Sequence, residues 1–193
     1  VFTGLKIGFG ITGSFCTFDK IIPVLKDLKS MEADVFPILS EHAVSFDTRF
    51  WKAEEFKKQV EEICLHKVIS NIIEAEPIGP KNYLDLLVVA PCTGNTISKL
   101  ANAITDTSVT MASKAHLRNG KPLIIAISTN DGLSSNGKNI GVLLNTKNIY
   151  FVPFGQDDAI KKCNSLVADM NMIIPTIEDI IKGNQKQPIL LNS

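Results

Sequence analysis

Three short segments of this chain carry groups suited to holding an anion: Gly10-Ile11-Thr12-Gly13-Ser14, Pro91-Cys92-Thr93-Gly94-Asn95-Thr96 and Ser128-Thr129-Asn130. Glycine lets backbone N–H groups turn toward a negative charge, hydroxyls add donors, and a helix that starts at such a loop contributes partial positive charge. Together they describe a phosphate cradle built without lysine. Nucleotide hydrolysis is disfavoured, because no Gly-Lys-Ser or Gly-Lys-Thr follows the first glycines, and the spacing departs from the Gly-x-Gly-x-x-Gly of ordinary dinucleotide sites. Ser, Thr and Asn are also preferred at helix N-caps, so any one of the loops reads equally as a cap. The agreement of three loops is what favours an anion site.

Other reactive groups are sparse. Cys16, Cys64, Cys92 and Cys163 lie far apart with no Cys-x-x-Cys pair, so neither a zinc site nor a dithiol redox motif is expected. Cys92 reads as a small loop residue, since no base is in view for a thiolate. His42, His66 and His116 read as solvated or structural. Twenty basic and twenty acidic residues cancel, which removes the basic field that general binding to nucleic acid or an anionic membrane requires. With no signal-like start and no apolar run of membrane-spanning length, a cytoplasmic protein is expected.

The loops need strands before them and helices after them. Leu5 to Phe9 is a short apolar run entering the first loop, and Phe18, Ile21, Ile22, Leu25 and Leu28 repeat at helical spacing after it, with Pro23 predicting a kink or a late start. Ala33 to Leu39 reads as a second strand. Ser40 to Lys52 reads as a long loop of the kind that covers sites, its Phe50 and Trp51 suiting either an interface or the core. Phe56, Val60, Ile63 and Cys64 mark a helix face, and Glu76 to Pro80 reads as a break. The apolar run from Tyr83 to Pro91 is the clearest central strand. Ile97, Leu100, Ala101 and Ile104 fit one helix, and Thr107 to Arg118 fits another, closed by Gly120. Pro122 to Ile127 and Ile149 to Phe154 are the remaining strands, and Pro175 suits the first turn of a terminal helix ending near Lys182.

This alternation predicts an α/β fold: one domain over 1–193, doubly wound, with a mostly parallel sheet between two helical layers in Rossmann-like or flavodoxin-like fashion. A content of 45% hydrophobic and 21% charged residues suits such a buried core.

Gly10 to Ser14 together with Ala90-Pro-Cys-Thr-Gly-Asn-Thr-Ile-Ser-Lys-Leu-Ala101 resembles the paired signature of the flavoprotein superfamily that includes homo-oligomeric flavin-containing cysteine decarboxylases. Longer strings, among them Thr48-Arg-Phe50, Ala75-Glu-Pro-Ile-Gly-Pro-Lys81, Ile127-Ser-Thr-Asn-Asp131, Asn145-Thr-Lys-Asn148 and Phe151-Val-Pro-Phe-Gly-Gln-Asp-Asp158, are similar to those of the dipicolinate synthase B-subunit family. The resemblance implies a Rossmann-like fold that binds FMN. It implies a partner, the A subunit of dipicolinate synthase, with which such proteins oxidise a dihydrodipicolinate-type intermediate to dipicolinate during sporulation. Because A subunits resemble nicotinamide-dependent dehydrogenases, NAD(P) is implied on the partner. A trimeric or larger homo-oligomer is implied as well.

Carried over residue by residue, the resemblance puts Gly10, Thr12, Gly13, Ser14 and Ser40 at the phosphate. Pro91, Thr93, Gly94, Asn95 and Thr96 fall at phosphate or ribityl, and Ser128, Thr129 and Asn130 along the flavin. Decarboxylases of the superfamily carry a histidine before the strand at Leu86 to Ala90, where this chain has Pro77-Ile-Gly-Pro80, so cysteine decarboxylation is not expected. A binding or scaffold protein that keeps a phosphate site without doing chemistry is the other alternative. For a small dicarboxylate substrate, Arg49, Lys81, Lys99 and Arg118 are the cations nearest to the site loops in sequence, although each also suits a solvated face. Asp106 suits a helix cap or a bridge between protomers.

Overall fold

A computed structural model describes residues 1–191. The first two predicted loops sit where a buried strand runs out and a helix begins, whereas in the third Ser128 and Thr129 end a strand and turns separate them from the next helix, which starts at Gly137. Strand β1 (Lys6–Ile11) lies in parallel register between β2 (Asp34–Leu39) and β3 (Leu86–Cys92), Ile7 facing Val35 on one side and Leu86 on the other. β4 (Leu123–Thr129) extends the parallel set beyond β3, and β5 (Ile149–Phe151) pairs with its first half. The order β2-β1-β3-β4-β5 is that of flavodoxin-like sheets, whose ligands bind where the chain reverses direction across the sheet, beside the ends of β1 and β3. All seven residues of β3 are buried, as the uninterrupted apolar run requires of a strand covered on both faces.

The helices form two layers. On one side α1 (Phe18–Ser30) packs against α3 (Ala53–Cys64) and α9 (Ile173–Ile181), with the Phe18 and Phe56 rings stacked 4.1 Å apart. On the other side α7 (Ser108–Leu117) packs against α6 (Gly94–Ala101), and α6 against α8 (Gly137–Leu144). A three-residue 3₁₀ turn, Phe15–Thr17, leads directly into α1, so this helix starts early. It runs through Pro23 because that ring lies on the exposed face, where water can satisfy the carbonyl that proline leaves free.

Several local expectations are corrected. The stretch from Ser40 to Lys52 is not all loop: Ser40 caps a short helix, α2 (Glu41–Ser45), by accepting from Ala43 N–H. Glu76 to Pro80 is a break only at Glu76-Pro77, which separate two single turns, α4 (Ile72–Ala75) and α5 (Ile78–Lys81); Ile78 to Pro80 belong to the second. Ile104 lies beyond α6 and is 45% exposed. Gly120, with φ +69°, does close α7 as expected. The largest correction is a hairpin after β5: β6 (Phe154–Asp158) and β7 (Lys162–Ala168) are antiparallel, and β7 pairs with the last two residues of β4, Ser128 and Thr129. The expected last strand thus ends at Phe151, and the sheet, mostly parallel as expected, gains this antiparallel edge. Among the described residues, no helix is long and apolar enough to cross a membrane.

Candidate functional site

The three loops meet. Ser14 Oγ lies 2.8 Å from Ser128 Oγ across the gap between the ends of β1 and β4, and 3.1 Å from Thr17 Oγ1. Between them Thr12 joins the first loop to the second: its hydroxyl donates to the Pro91 carbonyl at 2.7 Å and accepts from Thr93 N–H at 3.0 Å. Thr12 is 1% exposed and fully engaged, so it is a strut between loops rather than a donor to a ligand. Ser40 is joined to β1 by its N–H, which donates to the Ile11 carbonyl at 2.9 Å.

Two adjoining clefts open on these loops. One, of about 440 Å³, is bounded by Thr12, Ser40, Thr96 and the ion pair Lys99–Asp106. The other, of about 800 Å³, runs past Ser14, Phe15, Gly94, Ser128, Thr129 and Asn130 to the β6–β7 hairpin. Gly13, Thr93 and Asn95 border both. Of the sequence-predicted residues, Gly10 and Pro91 border neither. Gly10 is inside β1, where a Cβ would meet Val109 Cγ1 at 3.2 Å, so it serves the approach of α7 to the sheet. Pro91 is buried in β3, contributing the carbonyl that holds Thr12.

The donor inventory is narrower than the residue types suggest. Thr93 caps α6 by accepting from Thr96 N–H and also shares a 3.1 Å hydrogen bond with the Thr96 hydroxyl, whereas Ser40, which caps α2 by accepting from Ala43 N–H, keeps its proton free. The Gly94 and Asn95 N–H groups begin α6 and have no intrahelical partner. Gly13 N–H has no protein acceptor among the described residues. Glycine is sterically required at only one of the cleft positions. A Cβ on Gly13 would find ordinary contacts at 3.6 Å or more, whereas one on Gly94 would fall 2.7 Å from Asn136 Nδ2 and 2.8 Å from Asp131 Oδ1.

Charges near the clefts are mostly paired. Lys99 binds Asp106 at 2.8 Å, which holds that carboxyl below its usual range; Asp106 therefore pairs with Lys99, and Thr107 is the cap of α7. Glu41 accepts from Ser108 N–H at the start of α7, while its other oxygen is buried with no partner. In the larger cleft Lys162 binds Asp157 at 2.7 Å, but Lys20 and Arg49 have no carboxylate partner among the described residues. Arg49 lies over the Phe50 ring, 4.8 Å from its centre. Lys81 and Arg118 border neither cleft. Trp51 turns inward, its Nε1 donating to Asp19 and its edge against Phe56.

Cys92 is not in a loop. It ends β3, fully buried, and desolvation pushes its thiol well above the usual range, so it holds no thiolate. His116 is buried, bonded to the Pro122 carbonyl, and held neutral by desolvation with a pKa lowered to about 4. His66 binds Asp34 and stacks on Phe36. His42, expected to be solvated or structural, is exposed but borders the smaller cleft, two residues after Ser40. Sequence reasoning also missed Cys16, Lys20 and Asp131, each next to a recognised loop, and Asp157, Lys162 and Ser165 on the hairpin, for which no local signal exists.

Comparison with known proteins agrees with this architecture. Residues 2–186 match the Flavoprotein family. The chain is 47% identical over 190 residues to the B subunit of dipicolinate synthase from Bacillus subtilis (strain 168), covering 98% of this chain and 95% of that one. The crystal structure of the corresponding B subunit from Bacillus halodurans superposes with a TM-score of 0.91 at 46% identity, covering 100% of this chain and 98% of that one. An FMN-dependent cysteine decarboxylase, SpaF, shares the fold at 18% identity and a TM-score of 0.64, over 91% of this chain and 96% of that one. The chain belongs to the Flavoprotein family and, within it, to the dipicolinate synthase B subunits.

Proposed function

We propose that the adjoining clefts bind FMN and that the chain, acting as one functional unit over 1–193, works with a separate A subunit to oxidise a dihydrodipicolinate-type intermediate to dipicolinate in sporulating cells. The observation that carries the reading is the meeting of three loops around Gly13, Thr93 and Asn95, which border both clefts. There the free N–H groups of Gly13, Gly94 and Asn95 and the Ser40 hydroxyl suit a phosphate, aided by the N-terminal end of α6. The larger cleft suits the remainder of the cofactor and a small substrate. When bound, FMN supplies two-electron redox chemistry. The overall reaction removes two electrons and two protons, and NAD(P) held by the partner is the hydride acceptor of the proposal. Arg49 and Lys20, with no carboxylate of their own, suit the two carboxylates of a dicarboxylate, while Lys162 is occupied by Asp157.

Peptidyl-cysteine decarboxylation is the weaker reading, since Pro77 to Pro80 lies around α5 and borders neither cleft. The test is reconstitution: dipicolinate formation from dihydrodipicolinate with this chain, with its partner, and with both. Turnover that requires both supports the proposal. Full turnover by the partner in the absence of this chain reduces it to a binding or scaffold role. The gel-filtration mass of the lone chain tests the trimeric or larger assembly that belongs to the same reading.

A further inference from the structure

At the end of β4 the hydrogen bonds run in one direction only. Thr129 Oγ1 donates to Asp131 Oδ1 at 2.5 Å, and Asn136 Nδ2 donates to both Asp131 oxygens at 2.9 and 3.0 Å. Asn136 Oδ1 accepts from Asn139 Nδ2 at 2.9 Å, and Asn139 Oδ1 accepts from Asn102 Nδ2 at 3.3 Å. Asn102 Nδ2 also donates to the Ser98 carbonyl at 2.8 Å. A backbone carbonyl cannot donate, so it fixes the sense of the Asn102 amide, and each amide fixes the next as far as Asp131. These bonds to Thr129 and Asn136 hold the Asp131 carboxyl below its usual range. An ionised carboxylate only accepts, so the single Thr129 proton is committed to it. The Asp131 N–H reaches Thr129 Oγ1 only at 3.5 Å, which leaves a second lone pair free. Gly94 makes the arrangement possible, because a side chain there would occupy the space of Thr129, Asp131 and Asn136.

We infer that the β4 end of the larger cleft is a hydrogen-bond acceptor position, held in that sense by Asp131 acting on Thr129, and that it takes an N–H or O–H of the ligand rather than a phosphate oxygen. The inference deepens the FMN reading and rests on it for the identity of the ligand. It reverses what the residue type suggests: a threonine at a strand end looks like one more donor to an anion, yet here it repels one. Phosphate is thereby confined to the neighbourhood of Gly13 and Ser40, and the ribityl hydroxyls or the ring N–H of a flavin meet Thr129. Asp131 is a positioning residue, since it acts through Thr129.

The test has a ligand-free arm and a binding arm. In the ligand-free chain, proton NMR is expected to show a slowly exchanging Thr129 hydroxyl with a cross-peak to Asp131; a freely rotating, fast-exchanging hydroxyl overturns the inference. Asp131→Ala removes both acceptor oxygens, so nothing holds the Thr129 proton away and the hydroxyl can turn it toward the cleft. FMN affinity is then expected to fall roughly tenfold, as is that of Thr129→Val, the scale of one hydrogen bond. Thr129→Ser, which keeps the hydroxyl, is expected to retain affinity. The double variant Asp131→Ala/Thr129→Val is expected to be no weaker than Thr129→Val alone. A further loss in the double variant means that Asp131 acts elsewhere and overturns the inference. If the wild-type chain binds no FMN, the proposed function falls, and the NMR arm alone decides the polarity of the site.

Discussion

Replacing Gly94 with Ala separates a cap from a packed polar junction. Gly94 is the first residue of α6, and inside a helix Ala is favoured over Gly by about 0.8–1 kcal/mol, so a position governed by helix propensity alone gains stability from the change. Here the added Cβ falls 2.7 Å from Asn136 Nδ2 and 2.8 Å from Asp131 Oδ1, and closer still to Thr129 Oγ1. None of these atoms can retreat freely, since each is held by the others at 2.5 to 3.0 Å. Overpacking costs about 1–3 kcal/mol, and three contacts under 3.0 Å to mutually held atoms put this site in the upper part of that range, about 2–3 kcal/mol. The net expectation is a destabilisation of about 1–2 kcal/mol. For a chain of this size 1 kcal/mol moves Tm by about 2–4 °C, so a fall of roughly 2–8 °C is predicted. Thermal and urea unfolding of wild type and Gly94→Ala measure it. An unchanged or higher Tm, with a lower m-value excluded, refutes the argument that three side chains crowd this backbone.

Two further predictions follow from buried polar groups. Thr12→Val keeps the shape of the side chain but leaves the Pro91 carbonyl and Thr93 N–H without their side-chain partner; a loss of about 2 kcal/mol in urea unfolding is expected, together with weaker FMN binding although Thr12 contributes no free donor. The second concerns acid. His116 titrates near 4 in the folded chain and near 6.5 unfolded, so from about pH 6.5 downward the unfolded chain takes up a proton that the native one refuses. Stability therefore falls across that window, by roughly 3 kcal/mol, and this loss is complete below about pH 4. His116→Gln is expected to flatten the acid slope of unfolding free energy by about one proton; an unchanged slope contradicts the burial argument.

The parallel core was legible because its strands are unbroken apolar runs. Leu86 to Ala90 and Leu123 to Ile127 are short runs bounded by turn residues, as strands covered on both sides require, and α1 and α3 show their faces at helical spacing, while α7, buried nearly all round, is marked by its ends. The hairpin was not legible. Gly155-Gln-Asp-Asp158 and Lys162-Cys-Asn164 are polar, and the hairpin is held through Leu166 and Val167, which pair with Gln156 and Gly155 on one side and with Thr129 and Ser128 on the other, a tertiary cause that no local pattern carries. α8 was hidden behind Ser134-Ser-Asn-Gly137, which reads as loop. In the site, residue types picked out three segments that the fold brings together, but not what each group is bonded to. Thr12 and Pro91 tie loops together, Gly10 serves packing, and Thr129 gives its proton to Asp131. Such roles depend on which partner each hydroxyl finds, and that is settled only when the strand ends converge.

The central claim is that the converging loops hold the phosphate of a flavin. Its most direct test is a fluorescence titration of FMN into the purified chain, wild type and Ser14→Asp. Ser14 directly follows Gly13, whose free N–H belongs to the proposed phosphate position, so a fixed charge on its side chain would repel the phosphate. At about 4 Å and an effective dielectric of about 20 the repulsion approaches about 4 kcal/mol. Quenching that saturates at one FMN per chain, with affinity at least tenfold weaker in the variant, is the predicted result. No quenching by the wild type, or equal affinity in both proteins, contradicts it.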